Sequence, residues 1–528
     1  MLASNNGLPQ LLAALLCCFI ISYTVSLIRW RIRSRGRPLP PGPRGIPFIG
    51  NIIHMRQPEL WKAHQKLCAV YGDVVHLSMF GEHTVVLGSQ QAISDILEQQ
   101  SAVTSERWQH PLIELSGQGF NFAFFPYNHR WRRHRQVFSQ HIPLTRPIPD
   151  EQILIQHQYA SIFLRKLLTE PGGLRDHIRY VFSATIVKVV YGIEVADYND
   201  PNVALILRTL EGVQGFDSGR MLVQYLPILR HAPLWVPILG PQLRELAWRR
   251  AAADEVKQVM FDKTQDDLIH GRPNTSVLAS ILQELEEQGD VDLTEEHLIA
   301  KNTCVTAFEG GADTTFSTIQ AFFLAMSLNP SIQKKAQAEL DAVIGPHRLP
   351  NYRDRASLPY VEAVFKESLR WHNVLPLGLQ HCAGEDIEYR GYFIPRGTTF
   401  TANAWACLHD PEAYTEPDCF LPDRFIREGK LDPGVRDPRD FVFGYGRRIC
   451  AGKPFAEIEM FLVIAMTLHV FDITPPLDES GNPILIEPKF TGSFLLYPAD
   501  CRCTIKPRSA EAEALILEGV QSSDGPAA

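Results

Sequence analysis

Phe443-Gly444-Tyr445-Gly446-Arg447-Arg448-Ile449-Cys450-Ala451-Gly452 leads directly into an apolar run of helical period, 453–470. Three glycines around one cysteine permit a tight loop that lies close against something flat and bulky. The loop ends where a helix begins, and helix N-terminal amides favour a thiolate over a thiol. Arg448 adds a positive charge nearby. A lone cysteine in a reducing compartment is most often a buried structural residue. The completeness of the pattern FGxGRRxCxG argues for chemistry instead.

Composition narrows the rest. The chain has 528 residues, 45% of them hydrophobic and 21% charged, which suits a large globular core. Its formal net charge is −8, unfavourable for general nucleic-acid binding. Ten cysteines without a CxxC pair exclude a disulfide scaffold and a zinc ribbon.

Residues 11–28, LLAALLCCFIISYTVSLI, carry no charge, and five arginines follow between 29 and 37. This order reverses that of a cleaved signal peptide and predicts an uncleaved transmembrane anchor. The positive-inside rule places residues 1–10 in the lumen and the body in the cytosol. Residues 29–50 are basic and then proline-rich, a semi-rigid strut between anchor and body. Residues 51–508 read as one domain, and 509–528 as a fraying, disordered tail.

Within the body, two β-rich runs flank Gly81-Glu82 and predict a hairpin. Helical periodicity dominates thereafter, at 152–168, 176–191, 241–270, 293–327, 331–344, 360–370 and 453–470, with a second short β region at 387–400.

Three further clusters stand out. Glu367 and Arg370 are spaced i,i+3 on one helix face. Gly310-Gly311-Ala312-Asp313-Thr314-Thr315 places two glycines inside a long helix, where each costs about 1 kcal/mol relative to alanine. Close helix packing is one reading; a local opening served by an acid and a hydroxyl is the other. Trp131 and Arg135 lie i,i+4 apart, and Arg suits a carboxylate. Arg132 and Arg133 point elsewhere, either into solvent or toward a docking partner.

The loop at 443–452 resembles the haem-binding loop of the cytochromes P-450, and the other clusters follow the family's order. The resemblance implies haem b as cofactor, with the Cys450 thiolate as axial ligand of the iron and Arg448 beside it. It implies that Trp131 and Arg135 bind a propionate, with His381 a second propionate contact. It makes Asp313 and Thr314 the distal acid–alcohol pair. Pro422-Asp423-Arg424-Phe425 is similar to the family's PERF motif, with Asp for Glu. By that likeness Arg424 joins Glu367 and Arg370 in a buried structural network. The implied fold is mainly α with small β-sheets, an α-rich triangular prism, plus the one N-terminal transmembrane helix. The implied reaction is RH + O₂ + 2e⁻ + 2H⁺ → ROH + H₂O, in the endoplasmic reticulum membrane, with electrons from an NADPH-dependent flavoprotein reductase.

The runs 389–398 and 435–439 further resemble fungal microsomal members of secondary metabolism. Aromatic residues between 107 and 127, with Val374, Leu375, Leu377, Leu379, Phe494 and Leu495, imply an apolar substrate: a terpenoid-like, polyketide or aromatic intermediate. Two alternatives remain open: a haem-thiolate isomerase or dehydratase that needs no O₂, and a non-catalytic haem protein. Reductase-dependent NADPH consumption with a substrate separates them. Glu309, next to Gly310, has two readings, an internal structural bond or recognition of a substrate hydroxyl or amine.

Removing residues 1–36 is expected to release most of the protein from microsomes while haem binding survives. Fractionation with a haem assay checks this, and protease protection of the body in intact microsomes would contradict the orientation.

Overall fold

The computed structural model describes residues 7–195, 200, 205, 222–224, 226–288, 292–492 and 494–521, apart from some side chains near the two ends. The helices that position the site are α1 (Gly7–Ser34), α2 (His129–His141), α3 (Asp150–Thr169), α4 (Leu174–Tyr191), α5 (Leu239–Ile269), α6 (Leu293–Leu328), α7 (Pro359–Trp371), α8 (Lys453–Val470) and α9 (Ala510–Gln521). α6 is the central element, 36 residues long and buried along most of its length. Asp292 caps its start, accepting from the amides of Thr294 at 3.0 Å and Glu295 at 3.3 Å. α4, α2, α7 and α8 pack around α6. α8 is buried continuously from Ile458 to Val470, as an all-round apolar core helix should be.

The main sheet has four strands, β1 (Val74–Met79), β2 (Glu82–Leu87), β3 (His381–Cys382) and β4 (Thr399–Ala402), in the order β1-β2-β4-β3. β1 and β2 pair antiparallel, with Met79 opposite Glu82. The turn is therefore Phe80-Gly81, one position earlier than the sequence suggests. Both residues have positive φ, 51° and 89°, the pattern of a type I′ hairpin turn. β2 and β4 run parallel, and β3 pairs antiparallel with β4, which fixes His381 opposite Phe400.

Two segments that flank the body are docked on it. The proline-rich strut lies against β1 and against the separate strand Tyr392–Ile394. The Phe393 amide donates to the Pro38 carbonyl and the His76 amide to that of Pro41, both at 2.8 Å. Prolines lack an N–H but keep an acceptor, so they can close a sheet edge. A Cβ on Gly42 would lie 2.0 Å from the His76 carbonyl oxygen, so only glycine permits this approach. The tail is also ordered over 510–521, where α9 packs on α3 and α8 and buries Leu515 and Ile516. Residues 522–528 lie outside the described set, as do residues 1–6 of the expected lumenal segment.

The C-terminal end of α1 is docked too. Trp30 stacks on His83 and meets Phe393 edge-on, with ring centroids 5.9 and 5.3 Å apart. Arg33 pairs with Asp386 at 2.6 Å. Among the described residues, no helix is long and apolar enough to cross a membrane. The side chains of Leu11, Leu12, Leu15, Leu16 and Phe19 are outside that set.

Candidate active site

The cysteine loop is built by its glycines. Gly444 and Gly446 have φ of +77° and +54°. A Cβ on Gly446 would lie 2.3 Å from the Leu97 carbonyl oxygen, so the loop closes only with glycine there. The Cys450 amide donates to the Phe443 carbonyl at 2.7 Å, pinching the loop shut. Cys450 keeps accessible surface although protein surrounds it closely. Burial pushes its thiol up; the Gly452 amide, Arg135 and Lys453 pull the other way.

Around this loop the chain gathers more positive charge than it neutralises. Arg448 donates through Nε to the Ser105 carbonyl at 2.8 Å and through Nη2 to that of Phe125 at 2.7 Å. Its Nη1 is buried, with no hydrogen-bond partner among the described residues. Its guanidinium lies 4.4 Å from the Trp131 ring centroid, a cation–π contact that gives Trp131 its place. Burial, with Arg135 nearby, lowers the Arg448 pKa to about 9. Burial likewise lowers that of Arg135. His381 is buried, and Nδ1 lies 3.0 Å from the Thr104 carbonyl. Burial, then Arg107 and Arg448, hold its pKa well below the usual imidazole range.

Arg107 is a member of this group that no sequence motif marks. It is buried and donates to the carbonyls of Ala123, Leu379 and Gln380 at 3.0, 2.9 and 2.6 Å. A planar group bearing carboxylates fits this lining. It would supply the missing anions and an acceptor for the orphaned Arg448 N–H.

On the distal side α6 runs unbroken through Gly310 and Gly311. The expected opening is an absence of side chains. A Cβ on Gly310 would meet nothing within 4 Å, whereas one on Gly311 would touch Ile186 at 3.5 Å. The Thr314 hydroxyl donates back to the Gly310 carbonyl at 2.9 Å. Asp313 is buried, accepts from the Tyr497 hydroxyl at 2.5 Å and lies 3.5 Å from Arg179 Nη1. Nothing local in the sequence links these groups; Tyr497 is 184 residues from Asp313.

Glu367, Arg370 and Arg424 come together. Arg370 binds Glu367 bidentately at 2.7 and 2.8 Å, and both side chains are fully buried. Arg424 Nε reaches the same carboxylate at 3.3 Å. The remaining Arg370 donors hold the Leu408, Pro417 and Cys419 carbonyls at 3.0, 2.7 and 2.9 Å. Asp423 accepts from the Tyr360 hydroxyl at 2.9 Å.

Of the two surface arginines, Arg133 pairs with Glu296 at 2.8 Å and Arg132 lies over the Tyr127 ring. Arg133 is thereby engaged within the molecule. A cavity of about 100 Å³ opens beside Arg107, with Trp108, Phe124, Leu377, Leu379 and Phe494 on its walls together with Gln380.

The cytochrome P450 family description matches residues 40–500. The chain is 36% identical to cytochrome P450 monooxygenase COX2 of Coprinopsis cinerea, over 98% of each chain. It is 38% identical to cytochrome P450 monooxygenase 208 of Postia placenta, over 98% of this chain and 97% of that one. It is also 35% identical to a tryptamine 4-monooxygenase of Psilocybe cyanescens, over 91% and 95%. With this fold and these clusters, the chain belongs to the cytochrome P450 family. It is a haem-dependent monooxygenase of that family, whose iron takes a cysteine thiolate as axial ligand and which draws electrons from redox partners.

Glu367→Ala would leave Arg370 buried with its charge unpaired, at an expected cost of about 3–5 kcal/mol. Denaturant unfolding should show a lowered midpoint; a wild-type midpoint would show that the cluster is dispensable.

Proposed function

We propose that this chain is a membrane-anchored monooxygenase that inserts one oxygen atom from O₂ into an apolar small molecule of secondary metabolism, a terpenoid in the first instance, with electrons from an NADPH-dependent flavoprotein reductase. The observation that carries the site assignment is the cationic lining around the Cys450 loop, with a buried Arg448 N–H left for an anion. In this reading Cys450 ligates the iron, and Arg135, Arg448, Trp131 and His381 hold the haem edge. With Nδ1 turned to the Thr104 carbonyl, His381 can donate from Nε2 only as imidazolium, so a carboxylate beside it would favour proton uptake. When bound, haem supplies the binding and reductive activation of O₂.

The residues of the chain manage protons and water. Thr314 holds a hydroxyl beside the open Gly310 position, returning its hydrogen bond to the Gly310 carbonyl between proton transfers. Arg179 and Tyr497 hold the Asp313 carboxylate inside the protein. Asp313 resupplies Thr314 only when it turns from them. That arrangement meters protons while bulk water stays out. The apolar walls Trp108, Phe124, Leu377 and Phe494 support an apolar substrate.

Membrane association is supported by the apolar run before the arginines. Exposed apolar side chains away from α1 add to it: Phe48 at 93% and Trp235 at 81% exposure, with Ile228 and Ile238. An endoplasmic reticulum anchor with a cytosolic body accounts for both. The docking of Trp30 and Arg33 means that a deletion ending at residue 28 spares contacts that a deletion ending at 36 removes.

Thr314→Ala is expected to keep haem and substrate binding but to uncouple turnover, with product per NADPH falling and hydrogen peroxide in solution rising. Asp313→Asn should slow the whole cycle by about 10²–10⁴-fold. Reductase-dependent NADPH consumption, product and peroxide measured together decide it; wild-type coupling in Thr314→Ala would overturn the assignment of Thr314.

A further inference from the structure

The segment from Gln118 to Phe125 bridges the two sides of the site. At its distal end, Gln118 Nε2 donates to Glu309 Oε1 at 3.0 Å and Asn121 Nδ2 to Glu309 Oε2 at 2.9 Å. Asn121 Nδ2 also reaches Gln118 Oε1 at 3.2 Å, so the three side chains form one buried cluster. At its other end, the Phe125 carbonyl accepts from Arg448 and the Ala123 carbonyl from Arg107. Between the two ends, Phe124 faces the cavity of about 100 Å³. The outer side is pressed on α5, where a Cβ on Gly117 would lie 2.7 Å from Arg250 Cα.

We infer that Glu309 is a positioning residue, the releasable latch that holds this segment closed between α6 and α5, and that its release admits substrate past Phe124. At the other end the bonds join guanidinium to carbonyl, and those of Arg448 do not titrate near neutrality, its pKa being lowered only to about 9. The Glu309 end does. Burial raises its pKa to about 7, against the opposing pull of Gln118, Asn121 and Lys257. The other ionisable groups around it are Lys257, Asp254 and Arg250 on α5, Tyr191 on α4, and Cys304 and Asp313 on α6 itself. Lys257 is paired with Asp254 at 2.7 Å. Burial pushes Tyr191 and Cys304 up, so both are neutral at this pH.

The sign follows from linkage. In the closed state Glu309 keeps its proton up to about pH 7; released into water it returns toward 4.5, the ordinary glutamate value. Raising the pH through 7 therefore favours release, and protonation favours closure. Glu309→Gln imitates the protonated form and should keep the segment closed at every pH.

The test is hydrogen exchange of the full-length, haem-loaded protein between about pH 6 and 8.5, corrected for the intrinsic rate. Alongside it, the association rate of 4-phenylpyridine with the haem iron is followed by absorbance. Both exchange over 111–125 and the association rate should rise about tenfold across this range in wild type. Both should stay flat in Glu309→Gln. Asn121→Ala, which removes one donor from the loop side and leaves α6 intact, should move the midpoint upward. A flat wild-type profile in either measurement, or an unchanged rise in Glu309→Gln, would overturn the latch.

Discussion

The buried ion pair of Glu367 and Arg370 is the constraint on which the site rests. Two charges taken wholly out of water are tolerated only if each remaining donor and acceptor is met. Arg370 meets its donors with three carbonyls from residues 408–419, and Glu367 also accepts from the Leu421 amide at 2.8 Å. The pair therefore dictates the path of the chain between α7 and the cysteine loop. That path places Tyr445 in the core and delivers Gly446 against Leu97, the close approach that shapes the loop around Cys450. A structural ion pair thus sets the geometry of a chemical group with which no hydrogen bond connects it.

The second organising fact is electrostatic. Arg107, Arg135, Arg448 and His381 converge from four separate stretches of the chain and push one another's pKa values down or suffer the same burial. Glu106 is a carboxylate whose charge offsets Arg448. Such a lining is costly unless an anionic group completes it, which couples cofactor binding to the stability of the loop and of α2. On the opposite wall stand two buried carboxyl groups instead, Asp313 and Glu309, each held by named donors.

Much of this was legible in the sequence because it is local. The periodic run 453–470 is helix over the same residues, and the spacing of Glu367 and Arg370 is itself a statement about one helix face. What was not legible is what depends on distant partners or on small backbone choices. Phe80 adopts a positive φ that a bulky residue seldom takes, which moves the hairpin turn by one position. Ile516 is buried only because α3 and α8 offer a surface, and a stretch rich in Ala and Glu gives no sign of that. Arg107 sits alone beside Trp108 without a motif, and Arg179 and Tyr497 reach Asp313 from other parts of the chain.

The central claim is that the shaped loop presents Cys450 as a thiolate to a haem held by the cationic lining. The absorption spectrum of the ferrous protein with carbon monoxide tests it most directly, in wild type and in Cys450→Ala. The account predicts a strongly red-shifted band in wild type, the mark of thiolate push on the iron, and its loss in the variant. An unshifted, imidazole-like band in wild type, or a red-shifted band retained at full intensity in Cys450→Ala, would contradict it.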